Sequence, residues 1–167
     1  MIYFPQKSNS DIMEQSEMEM LLHHESKDFY NYLHRLKMIN GNTNVLVLPN
    51  KQHFYYDAQE IQQFNTIINV KKLNHIKKLD DFLYSLYCVL KKDTYFCGCF
   101  VNNKNIKNFN IKLRVYKLFE ALILLLDVNR PKHLSEKDVK SLLNAHQFKI
   151  MNMKEIRGIT YFYAKKI

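Results

Sequence analysis

The chain has 167 residues, 47% of them hydrophobic and 13% aromatic, and a net charge of +9. That length fits one domain with a sizeable core, and the composition excludes a disordered chain. The best candidate for a membrane span, "VYKLFEALILLLDV", is too short and carries Lys117, Glu120 and Asp127, so no bilayer-crossing helix is expected.

The first residues, "MIYFPQKSNSD", lack a basic region, an apolar core and a small-residue cleavage site, so secretion is not expected. Three cysteines without such a leader point to a reducing compartment, cytoplasmic or membrane-peripheral. Residues 1–16 are polar and predict a flexible N-terminus, with a single α/β domain over 17–167. Charge is uneven: residues 1–28 carry −4 and the rest +13. Such a basic body could meet an anionic partner, with the acidic segment folding over it, although compositional drift explains the same asymmetry.

From Glu17 to Met38, apolar positions such as Phe29, Tyr32, Leu33 and Leu36 recur mostly at helical spacing. "NGN" at 40–42 supplies a stop, since Gly41 is free to take positive φ. Val45–Leu48 is a short apolar run ended by Pro49, which suits a buried parallel strand. Asp57, with Glu60 three positions on, predicts a capped short helix over 57–64. "FNTIINV" predicts a second strand near 64–70, followed by a helix from His75 to Leu90. "KKD" at 91–93 reads as a turn before a third strand, Thr94–Val101.

Residues 102–114 read as a loop or the entry to a helix that runs to about Asp127, and Pro131 breaks it. Ser135 with Asp138 marks a clear helix start. "FKIMNMKEI" and "ITYFYAKK", joined at Arg157–Gly158, predict a terminal hairpin. Strands alternating with helices imply a mostly parallel sheet of about five strands with a C-terminal antiparallel hairpin at its edge.

All three cysteines fall in "CVLKKDTYFCGCF", from Cys88 to Phe100. On a strand Cys97 and Cys99 share a face, with α-carbons roughly 7 Å apart at about 3.3 Å per residue. One tetrahedral zinc would demand a sharp bend, and no CxxC or HxxxH partner completes a ligand set. The cysteines therefore read as small apolar strand residues, and no metal is expected. His23 and His24 are adjacent and diverge by about 100° on a helix.

The glycines exclude more than the cysteines suggest. A dinucleotide-type loop needs closely spaced glycines after the first strand. Only Gly41, Gly98 and Gly158 exist, and Val45–Leu48 is followed by "PNKQHFYYD". There is no P-loop and no GxSxG elbow.

With the strands placed, "FNTIINVKKLNHIKKLDDFLYSLYCVLKKDTYFCGCF" resembles the fourth strand, helix and fifth strand of class I SAM-dependent methyltransferases. In that family the helix ends in "L-x-x-G-G" before the strand, and "LKKDTYFCGCF" keeps the leucine and lysine but lacks the glycine pair. "HLSEKDVKSLLNAHQFKIMNMKEIRGITYFYAKK" resembles the family's closing helix and hairpin, with Gln147–Phe148 where Gly–Phe is usual. More narrowly, "IINVKKLNHIKKLDDFL", "GCF" and "EIRGITYFYAKK" resemble methyltransferase-like modules associated with bacterial exopolysaccharide and capsule synthesis. The resemblance covers about residues 40–167 and implies a Rossmann-like, methyltransferase-like sheet. The glycine loop and the following strand with its ribose-binding acid find no counterpart, so no cofactor-binding residue can be carried over and no cofactor is expected.

The resemblance implies a degenerate, non-catalytic accessory protein in cell-surface polysaccharide biosynthesis. The alternative is an active transferase on a sugar or lipid-linked sugar using an unconventional pocket. Its substrate-binding candidates lie where α/β sheets place ligands, after the strands: Asn69, Lys72, Asn74, His75, Asn102 and Asn103. No paired acid and base accompanies them, so no catalytic residue is named, and capping or loop roles compete for each. A nucleic-acid partner is not expected, because the lysines are spread along the sequence and no reading motif is present. Residues 104–127, where lysines adjoin the apolar run Ala121–Leu126, are the expected surface for self-association, a protein partner or a peripheral membrane contact, with burial of the apolar run in the core or in a dimer interface favoured over the membrane.

Overall fold

Five strands form one sheet in the order β1-β2-β3-β5-β4: β1 (Val45–Leu48), β2 (Thr66–Asn69), β3 (Tyr95–Val101), β4 (Phe148–Ile156) and β5 (Ile159–Lys166). The computed structural model describes Met20, Leu22 and residues 26–39, 44–48, 58–102 and 132–167. The expected flexible 1–16, the turn at 40–42, the cap at Asp57, the candidate Asn103 and the contact segment 104–127 lie outside the described residues. Helices whose bounds fall among the described residues accompany the strands: α1 (Lys27–Arg35), α2 (Ala58–Gln62), α3 (Leu79–Val89) and α4 (Glu136–Ala145).

β1, β2 and β3 run parallel, with Val45 opposite Thr66 and Thr66 opposite Tyr95. β5 runs against both β3 and β4. The reversed strand therefore sits one place in from the edge, and β4 at the edge runs with the first three. The hairpin closes through Arg157 and Gly158, at φ of 52° and 80°. Two positive φ values in a two-residue loop make the mirror-image turn that matches strand twist.

Alternation along β3 divides the core. Phe96 and Phe100 point to one face, where α3 contributes Leu79, Leu83 and Leu86, and α4 contributes Val139 and Leu143. Cys97 and Cys99 point to the other, beneath Phe29, Tyr32 and Leu33 of α1. Both faces are covered, as a run of consecutive apolar residues in a parallel strand requires. Gly98 stands opposite Phe162 of β5, and a Cβ there would lie 2.7 Å from the Phe162 ring. The glycine makes room for an aromatic ring lying across the strand.

Two helices differ from the sequence reading. The expected helix over Glu17–Met38 is interrupted at Ser26, which is extended at φ −163° and caps α1 by accepting from Phe29 N–H at 3.3 Å. The expected helix from His75 starts later. Leu73–His75 form a 3₁₀ turn, Ile76 is extended, and α3 begins at Leu79 with Asp80 and Asp81 in its first turn. Those two carboxylates complement the helix dipole, whereas Lys77 and Lys78 before them do not. The start of α4 is as expected. Ser135 Oγ accepts from Asp138 N–H at 3.2 Å, and Ser135 N–H donates back to the Asp138 carboxylate at 2.8 Å.

Candidate functional site

In a parallel sheet, ligands gather where the strands end, because the loops that follow are free to vary. The described part of that rim here follows Asn69 and Val101. Four of the six sequence candidates come together there, but mostly as braces.

Asn69 ends β2, is 4% exposed, and donates through Nδ2 to Lys71 O at 2.7 Å. Its amide thus shapes the loop it opens. Asn74 is 6% exposed and sits in the 3₁₀ turn. Its Nδ2 donates to Val101 O at 3.2 Å and to Lys132 O at 2.7 Å, while its Oδ1 accepts from Val101 N–H at 2.7 Å. Lys132 N–H donates in turn to the Asn74 backbone carbonyl at 2.8 Å. One side chain therefore continues the sheet's hydrogen bonding past the end of β3 and ties the returning chain to it. Both amide protons and an oxygen lone pair are used.

Asn102 is buried and bridges Leu134 in parallel fashion, beside the Asn74 tie. Lys72 is half-buried in the same loop, and its ammonium lies close enough to Cys99 to favour the thiolate slightly. Burial dominates nonetheless and pushes the Cys99 thiol up to about 12. Cys97 is displaced in the same direction by complete burial. Cys99 also donates weakly to Val70 O at 3.7 Å. His75 is exposed on the loop and does not join the cluster. Among the described residues, no three His, Cys, Asp or Glu side chains gather as a metal site would require.

No family model and no curated protein matches this chain. Among solved structures, a SAM-dependent methyltransferase from Thermotoga maritima superposes with a TM-score of 0.51 at 11% identity, over 91% of this chain and 95% of that one. The fold is methyltransferase-like. The magnesium protoporphyrin IX methyltransferase ChlM from Synechocystis PCC 6803, solved with SAH, has a TM-score of 0.49 at 13% identity, over 97% and 90% of the two chains. PigF with SAH has 0.48 at 13% identity and 64% coverage of this chain, which spans only 31% of PigF's length.

β2, α3 and β3 are the elements formed by the segment that the sequence resemblance set against the fourth strand, helix and fifth strand, and β4–β5 form the expected terminal hairpin. Gln147, where the resembled pattern has glycine, adopts φ 61° between α4 and β4. The glycine of that pattern thereby acquires a reason: the helix ends in a left-handed residue.

The lysines spread along the sequence are partly gathered by the fold. Lys37, Lys91, Lys92 and Lys165 line one concavity at the opposite end of the sheet, near the start of β2 and β3. Sequence spacing could not reveal this, because the four come from three segments that only the sheet order brings together.

Proposed function

We propose that this chain is a methyltransferase-like accessory module, without methyl transfer of its own, that acts in cell-surface polysaccharide biosynthesis. The observation that carries the first half is the connection from β1 to β2. These strands are adjacent and parallel, and only residues 49–65 join them, five of which form α2. A parallel crossover itself needs about a dozen residues, so the connection has length for one crossover and none for further strand–helix units. The half of a seven-stranded methyltransferase that would follow its first strand has no chain length to occupy here. Pro49 and the glycine-free "PNKQHFYYD" also stand where a backbone cradle for the cofactor would begin. The second half of the proposal rests on the resemblance of "IINVKKLNHIKKLDDFL" and "EIRGITYFYAKK" to polysaccharide-associated modules. Residues 104–127 are the proposed contact for self-association, with a protein partner or an anionic membrane surface as its rivals.

Calorimetry with S-adenosylmethionine tests the non-catalytic reading. No saturable heat is expected, and a one-to-one complex of low-micromolar affinity overturns it. The rival reading, a transferase on a sugar or lipid-linked sugar, draws on Lys72 and the exposed His75 at the strand-end rim. It requires nucleotide-sugar binding that falls on Lys72→Ala. Self-association through 104–127 is tested by light scattering. A dimer lost on Leu125→Lys supports it, and a monomer that sediments with anionic liposomes replaces it with the membrane contact.

A further inference from the structure

An open concavity at the amino end of the parallel strands offers about 480 Å³, a volume within the range of small-molecule sites. Lys37 follows α1, Lys91 and Lys92 follow α3, and Lys165 lies near the end of β5. Against these four ammonium groups the described lining residues offer one carboxylate, Asp93, which Lys165 already holds at 2.7 Å. No ion pair engages Lys37, Lys91 or Lys92 among the described residues. Like charges facing one cleft repel, and low-dielectric walls focus the resulting field onto whatever enters.

A second observation is independent of the charge. Lys37 closes α1 in a Schellman motif: Lys37 N–H donates to His34 O at 3.0 Å and Met38 N–H to Leu33 O at 3.1 Å. Lys37 therefore takes φ 56°, a position where glycine is easier and a lysine is strained. Asp93, across the same cleft, sits at φ 71°. Two L residues in left-handed backbone, both lining one cavity, mark a place where side-chain chemistry has been kept at the expense of backbone ease.

We propose that this cleft binds a diphosphate-bearing small molecule, at a site separate from the strand-end rim. A single carboxylate cannot balance four lysines, whereas adjacent phosphates present several charged oxygens to separate ammonium donors. The volume exceeds what a bare diphosphate fills, and Met38 and Tyr95 supply a wall for an organic group beside it.

Titration of the full chain with inorganic pyrophosphate and with uridine diphosphate, at an ionic strength of about 0.1 M, tests the site. Saturable one-to-one binding is expected, weakened by about tenfold or more in Lys91→Gln/Lys92→Gln. The same charge change in Lys77→Gln/Lys78→Gln, on the exposed loop before α3, is expected to alter it less than about twofold. Lys37→Gly separates ligand from fold, because it should raise thermal stability while weakening binding. Asp93→Asn tolerates the same backbone and should tighten binding. Tighter binding of uridine diphosphate than of pyrophosphate assigns the organic group to the Met38–Tyr95 wall, and equal binding assigns recognition to the diphosphate alone. Absence of binding at millimolar ligand, or equal weakening by the two double substitutions, overturns the proposal.

Discussion

The two ends of the parallel strands are built on opposite rules. At the carboxyl end, polar side chains are buried and spent on backbone partners, as Asn69 and Asn74 are. At the amino end, charged side chains stay at the surface and the strain lies in the backbone. Three non-glycine residues with positive φ, Lys37, Asp93 and Gln147, each follow a helix at this end of the sheet. Among the described residues, the customary ligand rim is thus a structural joint, while the end that usually serves stability carries uncompensated charge. Position in a fold identifies where function can sit, but the hydrogen-bond inventory decides whether it is free to do so.

Removing the joint should have the largest effect. Asn74→Ala leaves Val101 N–H and O and Lys132 O without their partner in a partly buried setting. The expected loss is about 2–4 kcal/mol, read as a lower urea midpoint at unchanged slope. The Lys91→Gln/Lys92→Gln pair at the other end should change stability by less than about 0.5 kcal/mol. If Asn74→Ala costs no more than that pair, the carboxyl rim is not a joint and its polar groups become available to a ligand again.

Between the two ends, the middle of the sheet should respond to volume alone. Gly98→Ala drives a methyl group to 2.7 Å from the Phe162 ring, so that ring or strand must shift. A loss of about 1–3 kcal/mol is expected, recovered in part by adding Phe162→Leu. A neutral Gly98→Ala would show that the ring is loosely held. The flanking cysteines give a chemical reading of the same packing. A thiol reagent should modify the exposed Cys88 rapidly and leave Cys97 and Cys99 unmodified until the protein unfolds. Rapid labelling of three thiols in the native protein would contradict this packing.

Much of the fold was legible because local and tertiary demands agree. Val45–Leu48 and the two hairpin strands are apolar or alternating runs bounded by Pro49, Arg157 and Gly158, and they form where the pattern placed them. The α4 start was legible because a capping box is complete within four residues. Reading failed where distance intervenes. The pattern over His75–Leu90 is helical throughout, yet Asn74 is pulled toward Val101 and Lys132, and the helix waits until Leu79. The hairpin lies at the sheet's edge as expected, but sequence order says nothing about which of its strands joins β3. The strand-end candidates Asn69, Lys72, Asn74 and Asn102 lie at or after the ends of β2 and β3, but whether their side chains face a ligand or a carbonyl is decided by residues far along the chain. The amino-end lysines, spread over 129 positions from Lys37 to Lys165, had no local signal at all.

Glycine scanning at the amino end should give a small effect of opposite sign to the first two substitutions. Gln147→Gly replaces an L residue at φ 61° with the residue that the site's backbone favours. The gain in strain is partly offset by the extra freedom of an unfolded glycine, which leaves about 0.5–1 kcal/mol of stabilisation. Melting temperature should rise by a few degrees. A fall would mean that the Gln147 side chain contributes a contact worth more than the strain it imposes.

The smallest effect concerns Asp93 and Lys165, and it sharpens the contrast in charge. Hydrogen bonding to Lys165 holds the Asp93 carboxyl below its ordinary range, and the same bond raises Lys165 above its own. A carboxyl depressed in the folded state stabilises it above the unfolded pKa, and that contribution disappears as pH falls through the folded value. A raised lysine contributes fully below its unfolded pKa and loses that contribution as pH rises through the folded value. The pair is therefore worth most in the broad neutral window between the two titrations. Because Asp93 is exposed, solvent screens most of this, and the effect should shrink further with added salt. Asp93→Asn should lower thermal stability slightly at neutral pH and low salt, and not at all at acid pH where the native carboxyl is protonated. The same substitution removes an opposing charge from the cleft, so its small stability loss should accompany tighter diphosphate binding. A stability loss that persists into acid and high salt would instead mark Asp93 as a turn residue held by its backbone geometry, with the ion pair incidental.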